Sequence, residues 1–141
     1  MSSASQPILS QSPQAVAHLR FARIGPRKLR RVADAVRGMS VHEALVLLRF
    51  SGVEAAVPLA KLIQSAVANA VNNQQLDASS LYLHRLTVDG GPGGRFTKRL
   101  DPRAQGRAAF KRKRMSHVTV VVGYGPLRSR SRRSGASVVK G

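Results

Sequence analysis

Between Arg95 and Arg114 the chain places nine basic residues, Arg95, Lys98, Arg99, Arg103, Arg107, Lys111, Arg112, Lys113 and Arg114, against a single acid, Asp101. Such a stretch has too little apolar surface to offset the entropy of ordering it, and its like charges repel. Whatever order it holds must be supplied by a polyanionic partner. The rest of the chain therefore has to build a compact body from which this segment projects.

The whole sequence points the same way. Lys and Arg number 24 against 6 Asp and Glu, a net charge of +18 and an isoelectric point near 12.0 in 141 residues. That balance predicts nucleic-acid binding that weakens steeply as salt rises. No apolar stretch approaches the ~20 residues that span a bilayer, so no membrane partner is expected. The absence of cysteine removes disulfides, thiolate chemistry and Cys-type zinc sites. The four histidines are scattered without metal-ligand spacing and the six acids are dispersed, so neither a metal, a cofactor nor an enzyme activity is expected. Ser116-His117 has no carboxylate placed to orient it, and Gly90 to Gly94 lacks the Gly-Lys-Ser/Thr ending of a phosphate loop. With 4% aromatic residues, phosphate and shape contacts are expected to outweigh base stacking.

Residues 1–18 carry no Lys, Arg, Asp or Glu and no signal-type apolar core, and read as a disordered leader. Residues 126–141 read as a basic, disordered Ser/Arg tail. Between them lies one domain, residues 19–125, with an arm over about 89–115. Gly25-Pro26 opens a helix in which Leu29, Val32, Ala33 and Val36 form one stripe, while Arg27 and Arg31 lie opposite and Lys28, Arg30 and Arg37 flank it. Ser40-Val41-His42-Glu43 has capping-box spacing ahead of a second helix. Ser51 and Glu54 repeat that spacing, but Pro58 means that the third helix is either kinked or begins there. Its apolar face runs from Leu59 to Val71 and ends at Asn72-Asn73. The period then becomes two, with Leu81 and Leu83 followed by Leu86 and Val88 in the opposite phase, which predicts a bulge. His117 to Val122 is its antiparallel partner. Equal strands place the turn near Asp101 to Gly106 and make the glycine cluster a bend in the outgoing strand.

The sequence resembles the bacterial large-subunit ribosomal protein twenty-two family. The matching residues are Gly25-Pro26-Arg27-Lys28 with Arg37-Gly38, Ser65 to Asn73, Val88-Asp89, Lys98 to Arg107, and Ser116 to Val122. The resemblance implies an α+β fold, three helices packed on a small antiparallel sheet with a long protruding basic β-hairpin. It also implies a structural constituent of the large ribosomal subunit that binds and bridges rRNA segments during assembly. Its hairpin tip would line the peptide exit tunnel near the macrolide-binding region and meet the nascent peptide. Neighbouring large-subunit proteins would be further partners, on a cytoplasmic ribosome or, alternatively, an organellar one.

The expected rRNA-binding residues are Arg20, Arg23, Arg27, Lys28, Arg30 and Arg31 together with the nine cations of the arm. The expected tip is Thr97, Lys98, Arg99, Leu100, Asp101, Pro102, Arg103, Ala104, Gln105 and Gly106. Departures from the family pattern are Gly25 where a capping Ser is usual, Gly93-Gly94 in the outgoing strand, and Asp101 and Gln105 in the tip. Asp101 lowers the local positive potential. The competing reading is a histone-like DNA-binding protein, which would need a dimer interface. No heptad or exposed apolar helix face is evident in the sequence, so a homo-oligomer is not expected.

Overall fold

Alternating small and branched apolar residues pair three segments into one antiparallel sheet. The computed structural model describes residues 13–93 and 97–125, so the Ser/Arg tail, Arg95 and most of the expected leader lie outside the described residues. The elements are β1 (Gln14–Ala22), α1 (Pro26–Val36), α2 (Val41–Phe50), α3 (Ala56–Gln74), a short 3-10 turn (Ala78–Ser80), β2 (Leu81–Gly90), β3 (Lys98–Pro102), β4 (Ala108–Arg112) and β5 (Ser116–Tyr124). The sheet order is β1-β5-β2, and β3 and β4 form a separate two-stranded ribbon. This is the expected α+β architecture.

The leader boundary at residue 18 is corrected, because residues 14–18 belong to an edge strand. Gln14 pairs with Gly123 and His18 with Thr119. Ala15 and Ala17 are the inward side chains, small enough for α3 to come close through Ala66 and Ala70, all four buried. At that range Asn69 Nδ2 donates to the Val16 carbonyl at 3.1 Å and Gln74 Nε2 to the Gln14 carbonyl at 2.6 Å. Two carbonyls on the outer edge of β1 are thus capped by helix side chains. The opposite edge, on β2, is treated alike: Arg30 Nε donates to the Val88 carbonyl and Arg37 Nη2 to the Leu86 carbonyl, each at 3.0 Å. The Leu83 amide donates to the Met39 carbonyl, and Ser40 bridges Tyr82. Blocked edges keep the sheet from pairing with further strands.

All three helices cover one face. Val118, Val120 and Val122 of β5 and Leu81, Leu83, Leu86 and Val88 of β2 point into the core against Leu29, Val36, Leu59 and Ile63. The expected bulge lies between Leu83 and Arg85, leaving His84 without a partner on β5. Its ring lies over Gly123, where a Cβ would stand 2.8 Å from the imidazole, and Nε2 bonds the Gly125 carbonyl at 2.9 Å. Ser40 Oγ accepts the Glu43 amide as the cap spacing predicts. The second cap spacing is not used: Ser51 ends α2, and α3 starts from Ala55 without a side-chain cap. Pro58 therefore sits in the first turn of α3, where a missing amide costs nothing, and α3 runs on to Gln74 with a left-handed Gln75 at its end.

Candidate nucleic-acid interface

The ribbon begins where the β2–β5 ladder ends. Gly90 faces Ser116 and Lys98 faces Arg112, eight steps of the outgoing strand against four of the returning one. The outgoing strand thus has four residues more than the returning one, which shifts the centre of the turn by two positions, and the rest of the move from the expected Asp101-Pro102 to Gln105 comes from Leu81 pairing with Tyr124 in place of Val122 and from the bulge at His84. The turn itself is Arg103 to Arg107, closed by the Arg103 amide on the Arg107 carbonyl at 2.7 Å, with Gln105 and Gly106 left-handed. Pairing continues from Pro102 with Ala108 down to Lys98 with Arg112.

Directly opposed residues share a face, so the ribbon has two distinct sides. One carries Leu100 opposite Phe110, both 64% exposed, with Lys98 Nζ 3.3 Å from the centre of the Phe110 ring. The other carries Arg99 opposite Lys111 and a 3.6 Å Lys111–Asp101 ion pair, which at this exposure adds little stability. Neither side reaches the core. The apolar pair on a protruding arm was hidden in the sequence by the surrounding charge.

Thr97 is a correction to the expected tip. It sits at the ribbon's root, with its carbonyl accepting the Lys113 amide and only 9% of its surface exposed. Its buried hydroxyl has no hydrogen-bond partner among the described residues. Lys98 and Arg99 follow it at the root, and the turn carries Arg103, Ala104, Gln105 and Gly106.

The root is where residues far apart in sequence converge. A concavity of about 410 Å³ is lined by Arg23, Thr97, Arg99, Lys113, Arg114 and Met115. A second, of about 330 Å³, is lined by Arg23, Ile24, Gly25, Lys28, Glu54, Arg112, Lys113 and Arg114. The start of α1 faces this cleft with Gly25 as a cap that makes no side-chain bond, Pro26 in the first turn and no acid there. Cations at a helix start oppose its dipole, so Arg27 and Lys28 are unfavourable unless an anion lies nearby. The structure joins Arg23 and Lys28 to the arm cations. It also shows that Arg30 is tied to β2 through Nε, so its role is structural as well as electrostatic. Arg27 and Arg31 are exposed on α1 away from its buried stripe.

The solvent face of the sheet carries His18, Arg20, His117, Thr119 and, at a second bulge, Phe21. Three steps from Leu19 to Ala22 match two from Val118 to Ser116. The extra residue puts Phe21 at φ +57°, a left-handed conformation that costs a non-glycine residue about 1 kcal/mol or more. Its amide donates to His117 Nδ1 at 3.0 Å. The neighbouring Ser116 hydroxyl is fully buried and donates to the Ile24 carbonyl at 2.7 Å. Ser116 and His117 are thus committed to fixing the β1–α1 connection and do not pair with each other as a hydroxyl and an imidazole.

Between α2 and α3 runs a groove of about 590 Å³ lined in part by Leu45, Val46, Leu48, Val57 and Ala60, with Phe50 84% exposed nearby. This corrects the expectation of no exposed apolar helix face. Among the described residues no group of three His, Cys, Asp or Glu could hold a metal ion, and no helix is long and apolar enough to cross a membrane.

Comparison with known proteins matches these features to one family. The family model described as ribosomal protein L22p/L17e covers residues 17–123, from within β1 to the end of the core of β5. A curated relative, the large ribosomal subunit protein uL22 of Heliobacterium modesticaldum (strain ATCC 51547 / Ice1), is 45% identical over 117 residues, 83% of this chain and 80% of the relative. The matched span takes in the sheet, the three helices, the arm and the basic cleft at its root, and the chain belongs to the ribosomal protein L22p/L17e family.

Proposed function

We propose that the chain is a structural constituent of the large ribosomal subunit, with no catalytic role, that binds large-subunit rRNA and joins separate rRNA segments during assembly. The observation that carries this reading is the arm: a paired ribbon with cations along its length, no core of its own, and a root where Arg23, Lys28, Arg99, Arg112, Lys113 and Arg114 line adjoining concavities. Like charges held this close repel unless polyanion phosphates lie between them. Arginine predominates, and a guanidinium bridges two phosphate oxygens in a way that an ammonium does not.

Arg27 and Arg31 lie exposed on α1 while the arm carries its own cations, an arrangement that suits a protein tying one rRNA segment to another. The turn Arg103 to Arg107, as the outermost part of the ribbon, is the portion that would reach the wall of the peptide exit tunnel and meet the nascent peptide near the macrolide-binding region. Neighbouring large-subunit proteins complete the set of partners. The test is the triple variant Arg99→Glu, Arg103→Glu, Arg107→Glu. Its circular dichroism and thermal midpoint should match the wild type, because all three side chains lie outside the core, while its incorporation into large subunits should fall sharply. Normal incorporation would remove the basis for the arm as the rRNA anchor.

A further inference from the structure

We propose that Phe21 and His117 form a stacking site for one unpaired rRNA base on the open face of the sheet. This rests on the rRNA-binding reading and adds to it a second mode of contact, base stacking, at a place distant in sequence from the arm.

Phenylalanine is an unfavourable residue at the bulge in β1. The bulge in β1 puts position 21 at φ +57°, where Gly or Asn is tolerated far better than a bulky side chain. The bulge alone therefore does not call for phenylalanine. Nor does the core, since Phe21 remains 59% exposed and all three helices pack on the other side of the sheet. The ring's described aromatic neighbour is His117, with centroids 4.9 Å apart and planes at 86°. That edge-to-face arrangement holds the ring in place while leaving most of it open.

The surroundings indicate what the ring is for. Because Nδ1 of His117 accepts the Phe21 amide, the imidazole proton lies on Nε2, which leaves that nitrogen as a donor. His18 Nδ1 and Thr119 Oγ1 form a 3.1 Å hydrogen bond one residue pair along the same face. Arg20, His18, Phe21, His117 and Thr119 line a shared concavity of about 360 Å³. An aromatic ring beside a guanidinium and hydrogen-bonding groups matches a base with its phosphate: the ring takes the base's face and Arg20 the negative charge. An apolar side chain from a neighbouring protein would gain nothing from Arg20 or the two histidines. The low aromatic content argued against an extended stacking platform, but one base needs only one ring.

The test uses the full chain and a large-subunit rRNA transcript, with Phe21→Asn, Phe21→Leu and Phe21→Tyr. Phe21→Asn removes the ring and relieves the backbone, so its thermal midpoint should equal or exceed the wild type's while its affinity falls about fivefold or more. Phe21→Leu keeps apolar bulk and should lose similar affinity, whereas Phe21→Tyr should retain it. The salt dependence should stay unchanged in all three, because no phosphate contact is removed. Ultraviolet crosslinking of assembled subunits should place a nucleotide on the peptide containing Phe21. Unchanged affinity with a lowered midpoint for the Asn and Leu variants would make the ring a structural filler and overturn the proposal. A crosslink from Phe21 to protein instead of a nucleotide would overturn it as well. A wild-type chain that binds the transcript no better than duplex DNA would defeat the rRNA reading itself, an outcome that the variants do not produce.

Discussion

Arg23, Lys113 and Arg114 line both concavities at the root of the arm, so neutralising them removes the cations that the two share and leaves Arg99 in one and Lys28 and Arg112 in the other. Each phosphate neutralised by a protein cation contributes about 0.7 to 0.9 to the slope of log affinity against log salt. With one phosphate per cation, the variant Arg23→Gln, Lys113→Gln, Arg114→Gln should lower that slope by about 2 to 3. Raising salt from about 0.1 to 0.3 M should then weaken the wild type roughly 10- to 20-fold more than the variant. All three residues are exposed and outside the core, so the thermal midpoint should hold. Fluorescence anisotropy on labelled large-subunit rRNA across a salt series measures the slopes. The control is Arg49→Gln, Lys61→Gln, on the α2–α3 groove remote in sequence from the arm. An equal change in slope per charge in the two variants would refute a converged site and leave only a diffuse field.

Other consequences follow from the packing. Ile63→Ala deletes a fully buried branched side chain and should cost about 2 to 5 kcal/mol in urea denaturation. Replacing Lys98–Arg112 with a short turn should leave the thermal midpoint within a few degrees of wild type, since none of those residues joins the core. Gly123→Ala should be strongly destabilising because its methyl meets the His84 ring at 2.8 Å, and His84→Ala should restore much of the loss, a non-additive pair in a double-mutant cycle. The hydroxyl and amide of Ser79 hold the Asp77 carboxyl below its ordinary range. The contribution of Asp77 is therefore present above the unfolded pKa and fades as pH falls through the folded one. Asp77→Ala should flatten that part of the stability–pH curve.

How much of this was legible in the sequence depended on how loudly each residue spoke. The phase slip between Leu83 and Leu86 announced the bulge at His84, and charge density announced the arm. β1 stayed hidden because its inward positions are Ala15 and Ala17: the close approach of α3 demands small side chains, and alanines erase the alternation that marks a strand. Thr97 was assigned to the tip by the family resemblance, and no local pattern marks it as the residue whose carbonyl takes the Lys113 amide at the ribbon's root. The cleft at the root was invisible for a different reason. Arg23 and Lys28 meet Arg99 and Arg114 only because β1 pairs with β5, which returns from the arm. The role of Arg30 as an edge cap is likewise a tertiary fact, since helical periodicity shows its direction but not the Val88 carbonyl it meets.

On the proposed function, large-subunit rRNA completes the order of the arm. The most direct test is to sediment a tagged copy from cell lysate through a sucrose gradient and wash the large-subunit fraction at high salt. Stoichiometric retention after the wash is expected, because the arm's cations would be enclosed by rRNA where screening is weak. A protein that runs free, or that sediments with DNA, would contradict it.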